Sequence, residues 1–273
     1  MSFINPWCTI AALVLCQSAL ASDPTRELLH QTIANYEQSQ KRMADYLFDR
    51  RSDNRQLEAN GSVREQTTIV VRRDLIEEVP IQRMIERNGK PLSEDELAKE
   101  RAAVRKALDE HKALSSDEQR KRLEGLVGPQ REMEFLKEMP DALDYRYVDS
   151  EWRDRREILH FVMSPRPGYK AKKMQARVFE KIRGDIWIEK RSAEIVKVDA
   201  EVFDNVSVGG FLAKVEKGTR FLLERILIEP ENVWLMQRTR LRFATKIMLI
   251  KSIRQERESV FSNYRLVPKA EEN

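Results

Sequence analysis

Between positions 196 and 202 every second residue is apolar. Val196, Val198, Ala200 and Val202 alternate with Lys197, Asp199 and Glu201. A period of two marks a strand with one buried and one wet face. The pattern recurs downstream. Phe211, Ala213 and Val215 alternate with Leu212, Lys214 and Glu216, while Leu235, Thr239, Leu241 and Phe243 oppose Met236, Arg238, Arg240 and Arg242. Residues 221–228 are almost continuously apolar, broken by Glu224-Arg225, and 247–253 and 254–264 read as two more strands. Turn signals fall at Gly184-Asp185, Gly209-Gly210, Lys217-Gly218, 229–232 and Ser262-Asn263. Many strands joined by short turns predict one large antiparallel meander from about Tyr145 onward. A long twisted sheet must curl or be covered on its apolar face.

The first part of the chain supplies the cover. Asp23-Pro24 reads as an N-cap followed by Pro in the first turn, and Leu28, Leu29, Ile33, Tyr36 and Met43 follow at helical spacing. This predicts an amphipathic helix over 25–43. Residues 46–86 read as extended, with Asn60-Gly61 as a hairpin turn, Pro80 interrupting one run and Asn88-Gly89 closing it. Residues 93–139 form a helical insertion, opened by the capping box Ser93-Glu94-Asp95-Glu96. A second helix starts at Ser115 or Ser116 and ends at Gly128-Pro129. With 10 basic and 12 acidic residues over 93–138, the insertion has only a narrow apolar seam, which suits a cover or arm rather than core.

Residues 1–21 differ from all that follows. They hold no charged side chain, although the 273-residue chain carries 49 basic and 45 acidic residues, 34% in all. A short apolar run over 10–16 precedes Ala19-Leu20-Ala21, a small-x-small cleavage signal. The segment reads as a secretory signal peptide, since a span needs roughly 20 apolar residues. The mature chain, 22–273, is expected to be exported to the periplasm as a single domain. Both cysteines, Cys8 and Cys16, lie in the signal segment, so the mature chain has no thiol for a disulfide, a nucleophile or a metal. Anchoring through a lipidated Cys16 is the alternative.

Catalytic motifs are missing: there is no HExxH, GxSxG, Walker loop or GxGxxG. His30, His111 and His160 have no ligand spacing, so neither a metal nor a cofactor is expected. Glu77-Glu78 and the pair Glu256 and Glu258 are carboxylate pairs of a kind a charged chain produces by chance. Two other sets carry more information. Phe179, Trp187, Phe211, Phe221, Trp234, Met236 and Met248 all fall on predicted strands and could wall an apolar ligand cavity. The same residues could equally be ordinary core. Arg238, Arg240 and Arg242 share one strand face, in a region, 205–268, with 12 basic and 6 acidic residues. They could meet an anionic partner, or form a solvated face laced with glutamates from neighbouring strands. Nucleic acid is not expected, because the chain is exported and its aromatics do not interleave with its basic residues.

Several segments carry a resemblance: 88–93 (NGKPLS), 166–169 (RPGY), 184–188 (GDIWI), 217–221 (KGTRF) and 262–264 (SNY). They are similar to a family of exported bacterial proteins labelled as outer-membrane lipoprotein-sorting proteins. The order of elements resembles the fold of the LolA/LolB lipoprotein carriers and the N-terminal domain of RseB. The resemblance implies an α+β fold: a large curved antiparallel sheet, or half-barrel, with the N-terminal helix on its concave face and the charged insertion added. It implies a non-enzymatic envelope binding protein for a lipid or lipoprotein acyl chain, peripheral to the membrane at most. The alternative is a filled scaffold that meets an envelope protein partner through the insertion and the arginine face.

Overall fold

Asp23 caps the first helix by accepting the backbone N–H of Thr25 at 3.0 Å, and Pro24 fills the first turn of α1 (Pro24–Arg42). The computed structural model describes residues 23–127, 134–207, 213–247 and 251–268. The predicted signal peptide, Phe211, Met248, Gly209-Gly210 and the Gly128-Pro129 stop lie outside them.

After α1 come β1 (Tyr46–Leu57), β2 (Val63–Ile76), β3 (Val79–Arg87) and the short β4 (Lys90–Pro91). Glu77 and Glu78 form the β2–β3 turn, both with left-handed φ (50° and 65°), and Asn88-Gly89 the β3–β4 turn (51° and 76°). The insertion holds α2 (Glu94–Lys112), with Ser93 and Glu96 closing the capping box, then α3 (Ser116–Val127), a 3-10 turn at Glu134–Glu138 and α4 (Met139–Ala142). Next are β5 (Leu143–Arg153) and β6 (Arg156–Pro165), a 3-10 helix at Gln175–Glu180, then β7 (Ile182–Glu189) and β8 (Glu194–Val202). The chain continues through β9 (Val206–Ser207), β10 (Ala213–Val215), β11 (Arg220–Ile228), β12 (Val233–Ile247) and β13 (Lys251–Leu266).

The strands make one open antiparallel sheet in the order β4-β3-β2-β1-β13-β12-β11-β8-β7-β6-β5, with β9 and β10 added beside β12. The fold is thus the expected large antiparallel sheet with an N-terminal helix. Because β4 and β5 stand at opposite edges, the insertion must carry the chain from one side of the sheet to the other. Its last part, the 3-10 turn and α4, packs with α1 on one face of the sheet, called here the inner face.

Two apolar clusters fix the helices to the sheet. Leu29, Ile33 and Tyr36 of α1 pack with Phe161, Met163, Ile186, Ile188, Ile195 and Leu223. Leu108 of α2, with Val104 and Ala107, packs on Val79 and Ile81 of β3. Each such side chain contributes about 1.5–3 kcal/mol by leaving water. Asn35 also ties α1 to the β7–β8 turn, donating to Ser192 O at 2.7 Å.

Several local expectations are corrected. Gly184-Asp185 is no turn but lies inside β7. Ser262-Asn263 lies inside β13, where Asn263 (φ 57°) accompanies a register shift against Leu47/Asp49 of β1. Phe179 sits on a 3-10 helix, not on a strand. Val196 does not share a face with Val198. The β7–β8 register shifts so that Lys197 opposes Trp187 and Ile195 opposes Ile188, which leaves Val196 as an extra residue turned to the outer face.

Candidate functional site

The alternation along β8, β11 and β12 sends one apolar set inward. Val198, Ala200 and Val202, then Phe221 and Leu223, then Leu241 and Phe243 stand side by side across the three strands. Together with Met163 and Ile182 they form the floor of a cavity of about 560 Å³. Its roof comes from Ile33 and Tyr36 of α1, Phe135, Leu136 and Met139 of the insertion, and Val178 and Phe179. The hollow exists because the floor is low in the middle. Ala200 pairs with Gly184 on one side and with Phe221 on the other, so two neighbouring positions carry almost no side chain.

The lining is nearly free of chemistry. Thr219 is buried, and its hydroxyl donates to Glu216 O at 2.9 Å. Burial pushes the Tyr36 phenol up to about 12, although the Arg225 guanidinium, 5.3 Å from the ring, pulls it down. Neither group is a general base near neutral pH. The cavity opens where Phe221 and Leu241 face each other in register, each 37% exposed.

A polar clasp borders the roof. Glu138 accepts Tyr169 Oη at 2.5 Å and the backbone N–H groups of Lys172 and Lys173 at 2.8 and 2.9 Å. Burial raises the Glu138 pKa, but these hydrogen bonds outweigh it and hold the carboxyl below its ordinary value. The clasp joins the loop after β6 to the 3-10 turn that supplies Phe135 and Leu136. Phe135 in turn meets Phe179 with ring centroids 5.6 Å apart.

Of the aromatic and methionine set, Phe179 and Phe221 line the cavity. Trp187 and Trp234 do not. They belong to a small cluster on the outer face with Ile158, Val196 and Leu227, and Trp187 stacks on His160 at 4.5 Å. Met236 packs between the two inner clusters without lining the cavity. Most of the wall is aliphatic, from residues the alternation marked only as strand interior.

Arg238, Arg240 and Arg242 do share one face, the outer one. Arg238 meets Glu224 at 3.7 Å and Glu258 at 3.2 Å, and Arg240 meets Glu258 at 3.0 Å. Arg242 stands in register between Arg220 and Glu256. Glutamates of β11 and β13 thus lace two of the three. Among the described residues no group of three or more His, Cys, Asp or Glu is placed to hold a metal ion. Nor is any described helix long and apolar enough to cross a membrane.

No protein-family model matches the sequence, and no curated protein matches it. Solved structures do resemble the fold. A DUF1329 family protein from Desulfovibrio piger is 13% identical with a TM-score of 0.26, covering 90% of this chain and 94% of its own. A LolA superfamily protein from Nitrosomonas europaea is 12% identical with a TM-score of 0.26, covering 89% and 93%. A putative outer membrane lipoprotein-sorting protein domain from Vibrio parahaemolyticus is 10% identical with a TM-score of 0.28, covering 89% and 94%. At these identities the likeness is one of fold alone.

Proposed function

We propose that this protein is an exported binding protein of the cell envelope whose cavity takes an acyl chain, from a lipid or a lipoprotein. The cavity carries this reading. At about 560 Å³ it falls in the range of small-molecule sites, about 300–1,000 Å³. Its walls offer apolar surface and almost no hydrogen-bonding groups, which suits a hydrocarbon and little else. Burying ten methylenes there would contribute about 8 kcal/mol. The adaptable contacts of Met139 and Met163 fit a ligand without fixed shape. In this reading residues 1–21 export the chain, the protein acts without catalysis, and the roof segments 134–139 and 175–180 admit the ligand.

The test is native mass spectrometry of the protein purified without detergent, beside an organic extract of the same sample. A reproducible added mass that matches an extracted lipid is expected. A bare mass, with no lipid enriched over a control protein, would sink the carrier reading and favour a scaffold that acts through protein contacts of the insertion.

A further inference from the structure

The inner face changes character beyond the cavity. Arg257 of β13 stands directly opposite Leu241 of β12, the residue at the cavity's open end. Opposed residues of an antiparallel pair share a face and lie about 5 Å apart. Arg257 is therefore the next inner-face side chain after the apolar wall. Its Nε donates to Asn54 Oδ1 of β1 at 2.7 Å, which fixes the guanidinium on that side. Four residues back along β1, on the same face, is Arg50. Ser52 and Ser259, hydrogen-bonded to each other at 2.9 Å, lie between the two arginines.

These two cations lack what the outer-face arginines have. The carboxylates of β1 and β13 are Asp49, Asp53, Glu256 and Glu258, and the register puts all four on the outer face. β12 has none. Among the described residues no ion pair joins Arg50 or Arg257 to an acid, and the buried Nε of Arg50 has no hydrogen-bond partner. Burial and, after it, the charge of Arg257 lower the pKa of Arg50, so the two guanidiniums repel each other. Arg73, fully buried on β2 and on the same face as Val71, which opposes Arg50, adds a third cation, with Asp45 as the acid that acts on it.

We propose that Arg257 and Arg50 bind the anionic phosphate headgroup of an amphiphile whose acyl chain occupies the cavity. The inference rests on the acyl-chain reading and adds a headgroup to it. A phosphate between the guanidiniums would relieve their repulsion and accept charge-assisted hydrogen bonds from both. Of the adjoining Ser52 and Ser259 hydroxyls, the one that accepts in their mutual hydrogen bond keeps an O–H of the kind that phosphate oxygens accept.

The experiment compares three probes on the delipidated protein at low ionic strength: oleoyl lysophosphatidic acid, monooleoylglycerol and inorganic phosphate. The phosphate-bearing amphiphile is expected to bind at least tenfold tighter than the uncharged one. R257E, which alters an exposed side chain and no core contact, should abolish that preference and leave monooleoylglycerol affinity unchanged; R50Q should weaken it. Equal affinities for the two amphiphiles in the unaltered protein would overturn the headgroup site while leaving the cavity reading intact. A preference that survives R257E would overturn it too. Binding of neither amphiphile would overturn the cavity reading itself. Inorganic phosphate that binds as tightly as the amphiphile would overturn the lipid source and leave a free-anion site.

Discussion

Arg225 of β11 donates from Nη2 to Ser39 Oγ of α1 at 2.5 Å, deep between helix and sheet. The same guanidinium reaches Glu194 at 2.7 Å, the carbonyl of Ile195 at 3.1 Å and the carbonyl of Trp234, and lies over the Tyr36 ring. One buried cation thereby holds the cavity's roof helix to three strands. R225M should destabilise strongly, because it leaves Glu194 in a site where burial already raises its pKa. Removing one partner of a buried pair costs about 3–5 kcal/mol. For a chain of this size that is a fall of about 6–20 °C in Tm. S39A, which removes one hydrogen bond, should cost about 1 kcal/mol. Thermal unfolding followed by circular dichroism compares them, and an R225M protein as stable as S39A would refute the anchoring role.

Gly184 is tied to the cavity by a different constraint. A Cβ there would run into the carbonyl oxygen of Asp199 and come within 2.6 Å of Ala200 Cα, both backbone atoms of β8. Backbone cannot step aside as a flexible side chain can. G184A should therefore push β7 from β8, lower stability by about 3 kcal/mol or more, and distort the floor. Urea unfolding measures it. A loss below about 1 kcal/mol would mean that the two strands part easily.

The two faces of the sheet predict opposite mutant behaviour. V198W places an indole in existing empty space, so stability should hold while affinity for a fluorescent fatty acid falls at least tenfold. W234A removes a buried outer-face side chain packed on Ile158 and Val196. It should cost about 3–5 kcal/mol and leave affinity, measured well below the melting range, unchanged. If W234A lost binding and V198W kept it, the site would lie on the outer face.

This division also shows what the sequence could tell. Period-two alternation sets Leu241 and Phe243 on one face and Arg238, Arg240 and Arg242 on the other, as the structure has them; that Phe221 stands beside Leu241 is visible only in the register. The alternation fails where a single extra residue resets the parity. At Val196 and at the Glu224/Arg225 shift the register slips, and nothing in composition announces which residue is the extra one. The apolar run broken by Glu224-Arg225 was the one visible sign, and it marks the buried anchor. Gly184 reads as a turn because a glycine inside a strand that allows close backbone approach looks locally like one that makes a turn. The Arg50 and Arg257 site was illegible for another reason. It depends on β1 lying beside β13, a pairing of chain ends that local pattern does not encode. Trp187 and Trp234 fall on strands, as a cavity wall or a core both require, and strand position alone does not tell an inner wall from a small outer cluster.

The Glu138 clasp gives the roof a pH dependence of definite sign. Its carboxyl is held below the ordinary value of 4.5 when folded and returns to that value when the clasp opens. The stabilisation is therefore fully present above about pH 4.5 and is lost as pH falls through the lower, folded pKa. Protonation removes the charge that accepts the Tyr169 hydroxyl and the N–H groups of Lys172 and Lys173. Hydrogen exchange at those two amides should rise on acidification below that point, relative to the core amides of β7, and release of a bound fatty acid should speed up with it. E138Q keeps the shape and removes the titrating group, so its loop should be looser at pH 7 and indifferent to the step from pH 6 to pH 3.5. Tyr169→Phe should loosen the loop by a smaller amount, since the two backbone donors remain. Exchange at Lys172 and Lys173 that follows the same course in the unaltered protein and in E138Q would show that some other carboxylate governs the roof.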